Sequence, residues 1–409
     1  MRNVPKLRFK EFNGDWEEKK LGEITTLTSG GTPSTLKKEY WNGSIKWMSS
    51  GELNLKFIYD VQGRITDLGL KNSSTKIIPK ECILIGLAGQ GKTRGTVAIN
   101  FVELCTNQSI ASIFPNFDCF KPMFLYYNLD NRYEELRNLS TGSGGRGGLN
   151  LNILKNISSF FPNLNEQQKI ADFLFSVDKK ISITEEKLGL FKDYKKGIMK
   201  KIFNQELRFK DSNGNDYPEW EEKRLGDLIT SQGGKALEKY SDDNGKYKFI
   251  SIGNYSENST FIDNGKRIDL NSETKKQLLK KNELVMILND KTKTGNIIGR
   301  TLLIEKDDTY IYNQRSQRII CKKDFLPQFA YVLLNSSYRN NIIQNAQGGT
   351  QIYINFSTIE NFSIELPCLE EQQKIADFLS SIDNKIENLA SELENLKEFK
   401  KGLLERIFV

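Results

Sequence analysis

The densest group of residues able to do chemistry in this chain is Gly86-Leu87-Ala88-Gly89-Gln90-Gly91-Lys92-Thr93, which satisfies GxxxxGK[ST]. Such a loop cradles nucleotide phosphates when a strand precedes it and a helix follows, because the helix's first amides and its dipole face the anion. Here the next residues are Arg94-Gly95-Thr96-Val97-Ala98-Ile99, which have the composition of a strand. The stretch therefore reads better as a basic hairpin tip, with a nucleotidase using Lys92 as the alternative. The chain contains no histidine. That removes Ser-His-Asp and Cys-His catalysis, histidine general bases and Cys/His zinc fingers together. Five cysteines (Cys82, Cys105, Cys119, Cys321, Cys368) are scattered without CxxC spacing, which offers no metal site and fits a reducing cytoplasm. No residue is assigned a catalytic role.

Basic loops suggest binding instead. Gln90, Lys92 and Arg94 lie on the first hairpin; Lys291, Lys293 and Arg300 lie on a related stretch beginning Asn289-Asp290. Two glycine-bearing loops, Thr141–Gly148 and Gln347–Tyr353, add Gly144 and Arg146 in one case, Gln351 and Tyr353 in the other. These donors suit phosphates and guanine edges, and glycine lets backbone approach a groove closely. For any single one of them, a solvated turn residue reads equally well.

These loops sit on a chain written twice. Pro162-Asn163-Leu164-Asn165-Glu166-Gln167-Gln168-Lys169-Ile170-Ala171-Asp172-Phe173-Leu174 returns from Pro367 with the string Glu371-Gln372-Gln373-Lys374-Ile375-Ala376-Asp377-Phe378-Leu379, at a constant offset of 205 residues. Mostly apolar positions step by four and three from Ile170 to Ile202, with Thr184 and Lys195 among them, and again from Ile375 to Ile407, with Lys400. That 3.5-residue period predicts two long helices with coiled-coil seams, each on the order of 55 Å long. The first has nine Lys against six Asp/Glu, the second six Lys/Arg against nine. Opposite signs favour their mutual pairing. Asn165 and Glu370 stand where N-caps are expected. Gln167, Gln168 and Lys169, with Gln372, Gln373 and Lys374, open the helices, and Gly197 and Gly402 recur near their ends. The glycines mark a bend, a tight crossing or, with the helix openings, a docking surface for a partner.

The repeat extends upstream. Leu7-Arg8-Phe9-Lys10 and Trp16-Glu17-Glu18 return as Leu207-Arg208-Phe209-Lys210 and Trp220-Glu221-Glu222. The expected architecture is α+β. Globular β-rich domains at 1–161 and 206–366 alternate with long helices at 162–205 and 367–409. Strands are expected at Cys82–Ile85, Thr96–Ile99, Leu284–Leu288 and Asn296–Ile298, and helix cores at Phe124–Tyr127 and Phe329–Leu334 after Pro122 and Pro327. A compact domain keeps its termini close, so bridging the two helices requires them to run antiparallel, with one domain at each end and a pseudo-two-fold axis between. The formal net charge of +7 points to nucleic acid as partner, and no stretch approaches a membrane span. A coiled-coil scaffold carrying two protein- or RNA-binding domains is the competing class.

Two variable domains, each followed by a helix opening Pro-x-Leu-x-Glu-Gln-Gln-Lys-Ile-Ala and closing Lys-Lys-Gly-x-x-x-x-Ile-Phe, resemble the specificity subunit of type I restriction-modification enzymes. The resemblance covers essentially the whole chain. It implies a non-catalytic subunit whose two target recognition domains each read half of a bipartite site in double-stranded DNA. It further implies that the helices set the spacing and dock two methyltransferase subunits. S-adenosylmethionine, ATP and magnesium would belong to those methyltransferase and to restriction/translocase partners, not to this chain. Neither the translocase's ATP site nor the methyltransferase's Asn-Pro-Pro-aromatic tetrad is expected in this chain, in keeping with that role.

Overall fold

The computed structural model describes residues 4–89, 93–139 and 148–409. Two compact units result: one takes the chain up to Glu185 together with Ser391–Val409, the other Glu186–Ala390.

In the first unit the apolar runs make fully buried strands. A five-stranded sheet has the order Leu27–Ser29, Ile110–Ile113, Ile83–Gly86, Val97–Asn100, Phe57–Ile58, antiparallel except for the last pair. Ile83, Leu84 and Ile85 are wholly buried, as an unbroken apolar run requires when both faces of a sheet are covered. A second sheet places Trp41–Met48 between Gly63–Ile65 and Cys105–Thr106. The lead-in strand Glu17–Lys20 pairs antiparallel with Ser158–Phe161, so the domain's first and last strands lie side by side. Pro122–Asn131 forms a helix with proline in its first turn and buries Phe124 and Tyr127.

The second unit repeats this plan with different residues. Its main sheet runs Ile229–Gly233, Ser316–Cys321, Leu284–Ile287, Thr301–Leu303, all antiparallel. A three-stranded sheet orders Arg267–Ile268, Tyr247–Ile250 and Tyr310–Tyr312. Glu221–Arg224 pairs with Ser363–Leu366, mirroring the pairing of Glu17–Lys20. Pro327–Leu334 is the counterpart helix. Asn296–Ile298, expected as a strand, is not one; the returning strand is Thr301–Leu303. Gly295 and Gly299, at φ 68 and 74, bracket the segment in left-handed turns, and Asp290 binds the Ile297 amide at 2.8 Å.

The two long helices span Leu164–Phe203 and Leu369–Ile407. Every position of both expected seams is buried or half-buried. In the first unit Lys400 meets Asp178 at 2.7 Å and Lys397 meets Glu185 at 2.6 Å, so numbers rise along one segment as they fall along the other. In the second, Lys195 meets Asp383 at 2.5 Å. The first helix is capped by Asn163, which accepts from the Glu166 amide at 2.9 Å, two residues before the expected Asn165. In the second helix Glu370 lies inside the first turn, and the Cys368 carbonyl already accepts from the Gln372 amide. Among the described residues no helix is long and apolar enough to cross a membrane.

Candidate nucleic-acid interface

The duplicated chain builds the same latch twice between a domain and the opening of a long helix. Arg8 donates to both oxygens of Glu166 at 2.7 Å, and Arg208 to those of Glu371 at 3.3 and 2.9 Å. Both carboxylates are fully buried, so paired, charge-assisted hydrogen bonds are what makes their burial tolerable. Trp220 Nε1 adds a third donor to Glu371 at 3.0 Å. Phe9 packs edge-on against Phe173, and Phe209 against Phe378. Leu7 N–H donates to the Arg406 carbonyl, and Leu207 N–H to that of Lys201, which is the repeat-equivalent acceptor. The repeated lead-in motif is thus explained by what it grips.

The same geometry corrects part of the expected docking surface. Gln167 and Gln372 are 1% exposed. The Gln167 amide accepts from Lys121 N–H and donates to the Pro162 carbonyl; that of Gln372 accepts from Leu326 N–H and donates to Asp324 and Pro367. Each therefore ties its helix to the domain in front of it and presents nothing outward. Gln168 and Gln373 are exposed and bond along the helix to Asp172 and Asp377. Lys169 bonds Glu11, and Lys374 reaches the Lys210 carbonyl at 2.6 Å. Gly197 and Gly402 have no neighbour within 4 Å of where a Cβ would stand, so neither lies at a tight helix crossing.

In the first domain Ile83–Gly86 turns back through residues 93–95 into Val97–Asn100, with Ile83 opposite Ile99 and Ile85 opposite Val97. No helix follows the glycines, and the phosphate-loop reading loses the element it needs. Arg94 is half-buried on the turn; Gln90, Lys92, Gly144 and Arg146 lie outside the described residues. In the second domain Lys291 and Lys293 are exposed on the equivalent loop. Arg300 is not a free tip donor. Burial lowers its pKa from the usual arginine value against the opposing pull of Glu257, and among the described residues it donates to the Asn296 carbonyl and Ser259 Oγ, both at 3.4 Å. The loop is pinned by Arg339, 8% exposed, which donates to the Ile298 and Gly295 carbonyls. Burial, with Arg300 nearby, brings Arg339 down to about 10. Gln351 and Tyr353 are exposed, and Tyr353 pairs with Asn289, which joins the glycine-bearing loop to the hairpin loop.

A third loop meets these two, and the sequence reading did not single it out. Leu87 N–H donates to the Ser109 carbonyl and Leu87's own carbonyl accepts from Leu149; Leu288 does the same with Arg315 and Ile354. The convergent turns read Asn107-Gln108-Ser109 and Asn313-Gln314-Arg315, offset by 206 residues rather than 205. That one-residue slip, inside domains that have otherwise diverged, hid the only sequence signal: a repeated Asn-Gln. Each domain therefore gathers its hairpin loop, its Asn-Gln turn and the end of its glycine-bearing loop at one edge. Exposed amides, lysines and an arginine there can donate to phosphates and base edges. No group of three or more potential metal ligands occurs among the described residues.

Comparison with known proteins gives the same two-fold division. The sequence profile described as "Type I restriction modification DNA specificity domain" matches residues 13–189 and 217–398. The type I restriction enzyme MjaVIII specificity subunit of Methanocaldococcus jannaschii is 28% identical, covering 97% of this chain and 94% of the relative. The EcoR124I/EcoR124II specificity subunit of Escherichia coli is 32% identical over 44% of this chain and 45% of its own length. The crystal structure of a type I restriction-modification S subunit from M. genitalium shares the fold, with TM-score 0.65, 18% identity and 99% of each chain covered. With both copies of the profile matched over most of its length, and with the paired latches explaining why those copies recur, this chain belongs to the type I restriction-modification DNA specificity family.

Proposed function

We infer that this chain is the DNA sequence-specificity subunit of a type I restriction-modification enzyme and performs no chemistry of its own. Each globular domain reads one half of a bipartite, asymmetric site in double-stranded DNA. The long helices pair antiparallel as a spacer that fixes the gap between half-sites. Along their exposed flanks, with Gln168, Lys169, Gly197 and their repeats Gln373, Lys374 and Gly402, they dock two methyltransferase subunits. Those subunits bring S-adenosylmethionine and flip adenine from the duplex, as an enzyme acting on a buried base must. Restriction/translocase subunits bring ATP and magnesium, and the assembly works in the cytoplasm. The domain limits follow the repeat: 1–161, 162–205, 206–366 and 367–409.

One observation carries this reading: the helix openings, the seam spacing and the latches recur, while the domains they hold share a plan and differ in their loop residues. A scaffold kept constant around two diverged readers suits recognition of two different sequences at a set separation. Mapping methylated adenines in DNA from cells carrying this chain and its methyltransferase tests it. The expected result is one interrupted, asymmetric site. A continuous palindrome would contradict it. Absence of salt-sensitive duplex binding with the methyltransferase present would favour the protein- or RNA-binding scaffold.

A further inference from the structure

At one junction that both domains share, the second carries Arg315 where the first carries Ser109. Strand register fixes the equivalence: Gly86 pairs with Ile110, Ile287 with Ser316, so Ser109 and Arg315 stand at the same point. Their carbonyls accept the same bond, from Leu87 and Leu288, both at 2.8 Å. Arg315 is exposed and holds φ 67, a left-handed conformation that is uncommon for a residue with a Cβ. Such backbone persists only where its surroundings hold it, and it clusters at functional positions. Here the Gln314 amide is tied to the Lys235 carbonyl at 2.8 Å and Leu288 is tied to the Arg315 carbonyl, so the turn is clamped on both sides. Glu238, which interacts electrostatically with Arg315, accepts its hydrogen bonds from the Asn313 and Gln314 side-chain amides, each at 2.8 Å. Among the described residues the Arg315 guanidinium makes no hydrogen bond or close ion pair, and the Glu238 charge acts on it only at longer range. The result is an outward-facing fork on a rigid turn, between the loop bearing Lys291 and Lys293 and the loop bearing Gln351 and Tyr353.

We propose that Arg315 is a specificity-determining residue of the second domain, donating two N–H groups to O6 and N7 of a guanine in the major groove. This rests on the specificity-subunit reading and names a side chain for it. Guanidinium-to-guanine pairing is the commonest specific contact in that groove, and it needs a fork held at a fixed angle. Ser109, short and half-buried, gives the first domain no such reach. The second half-site therefore contains a guanine whose recognition depends on one residue, while the flanking lysines contact phosphate.

The test uses the full chain with its methyltransferase and duplexes built on the methylated site mapped for the unaltered complex. Arg315→Gly suits the left-handed turn, so the loop backbone is retained. It is expected to reduce discrimination at one guanine of the second half-site by on the order of ten- to a hundredfold, with the first half-site read as before. Arg315→Lys, which keeps the charge and loses the fork, is expected to lose discrimination at the same base. Equal weakening on every duplex, with a salt slope lower by about one, would make Arg315 a phosphate contact and overturn the proposal. Unchanged discrimination would overturn it too. A bipartite site indifferent to Arg315→Gly sinks this proposal alone, whereas the lack of any bipartite site in the unaltered complex sinks the reading beneath it.

Discussion

At the scale of single residues, the buried carboxylates Glu166 and Glu371 hold the domains to their helices, and each is useful only while its donors are present. Glu371→Ala leaves the Trp220 N–H without its acceptor and takes the buried carboxylate from Arg208, which keeps the Tyr217 and Pro218 carbonyls and Glu219. Loss of a partner from such a pair is expected to cost about 3 kcal/mol, read as a lowered urea midpoint for the second unit. An unmoved midpoint would show that the latch does not hold the domain. Burial pushes the Cys82 thiol up to about 12. A raised pKa keeps the neutral thiol at pH 8, so iodoacetamide is expected to label Cys82 only after denaturation; labelling of the native chain would contradict its placement. These residues also mark the limits of reading the sequence. Repetition flagged Gln167 and Gln372 as important, yet a glutamine reads as surface, and only the neighbouring Lys121 and Leu326 amides show why it turns inward.

At the scale of elements, the helices were legible because a 3.5-residue period persists over ten seam positions in each copy, far beyond what chance or a single amphipathic turn supplies. The Asn296–Ile298 stretch was not. Its three residues suit a strand, but Arg339 and Asp290, distant or polar, decide its path. Each seam carries one lysine, and Lys195 and Lys400 find repeat-equivalent aspartates, Asp383 and Asp178. A charged residue in a seam fixes register at some expense of stability. Asp383→Ala is expected to cost about 2 kcal/mol, and adding Lys195→Leu to restore most of it, because an apolar seam needs no counter-ion. Failure of the double variant to recover in urea melts would remove the pair's register role. Four residues added at matched points in both helices lengthen each by about 6 Å and are expected to widen the gap between half-sites. An unchanged gap would show that the helices are not the ruler.

At the scale of the whole molecule, one repeated unit carries both the architecture and the division of labour. The constant parts are helix and latch, whose residues face each other and must match. The variable parts are loops at the sheet edges, whose residues face outward, so the first were readable by self-comparison and the second were not. The excess positive charge of +7 belongs with a polyanionic partner. Binding by the assembled complex is accordingly expected to weaken by about a thousandfold between 50 and 200 mM salt if about six phosphates are contacted. A salt-independent affinity would exclude that mode. The central claim, that two independent readers are held apart by a common scaffold, is tested most directly by replacing residues 206–366 with the corresponding domain of another family member. Methylated adenines are then mapped in the host genome. The account predicts that one half of the recognised sequence changes while the other half and the gap are kept; a change in both halves, or in neither, would contradict it.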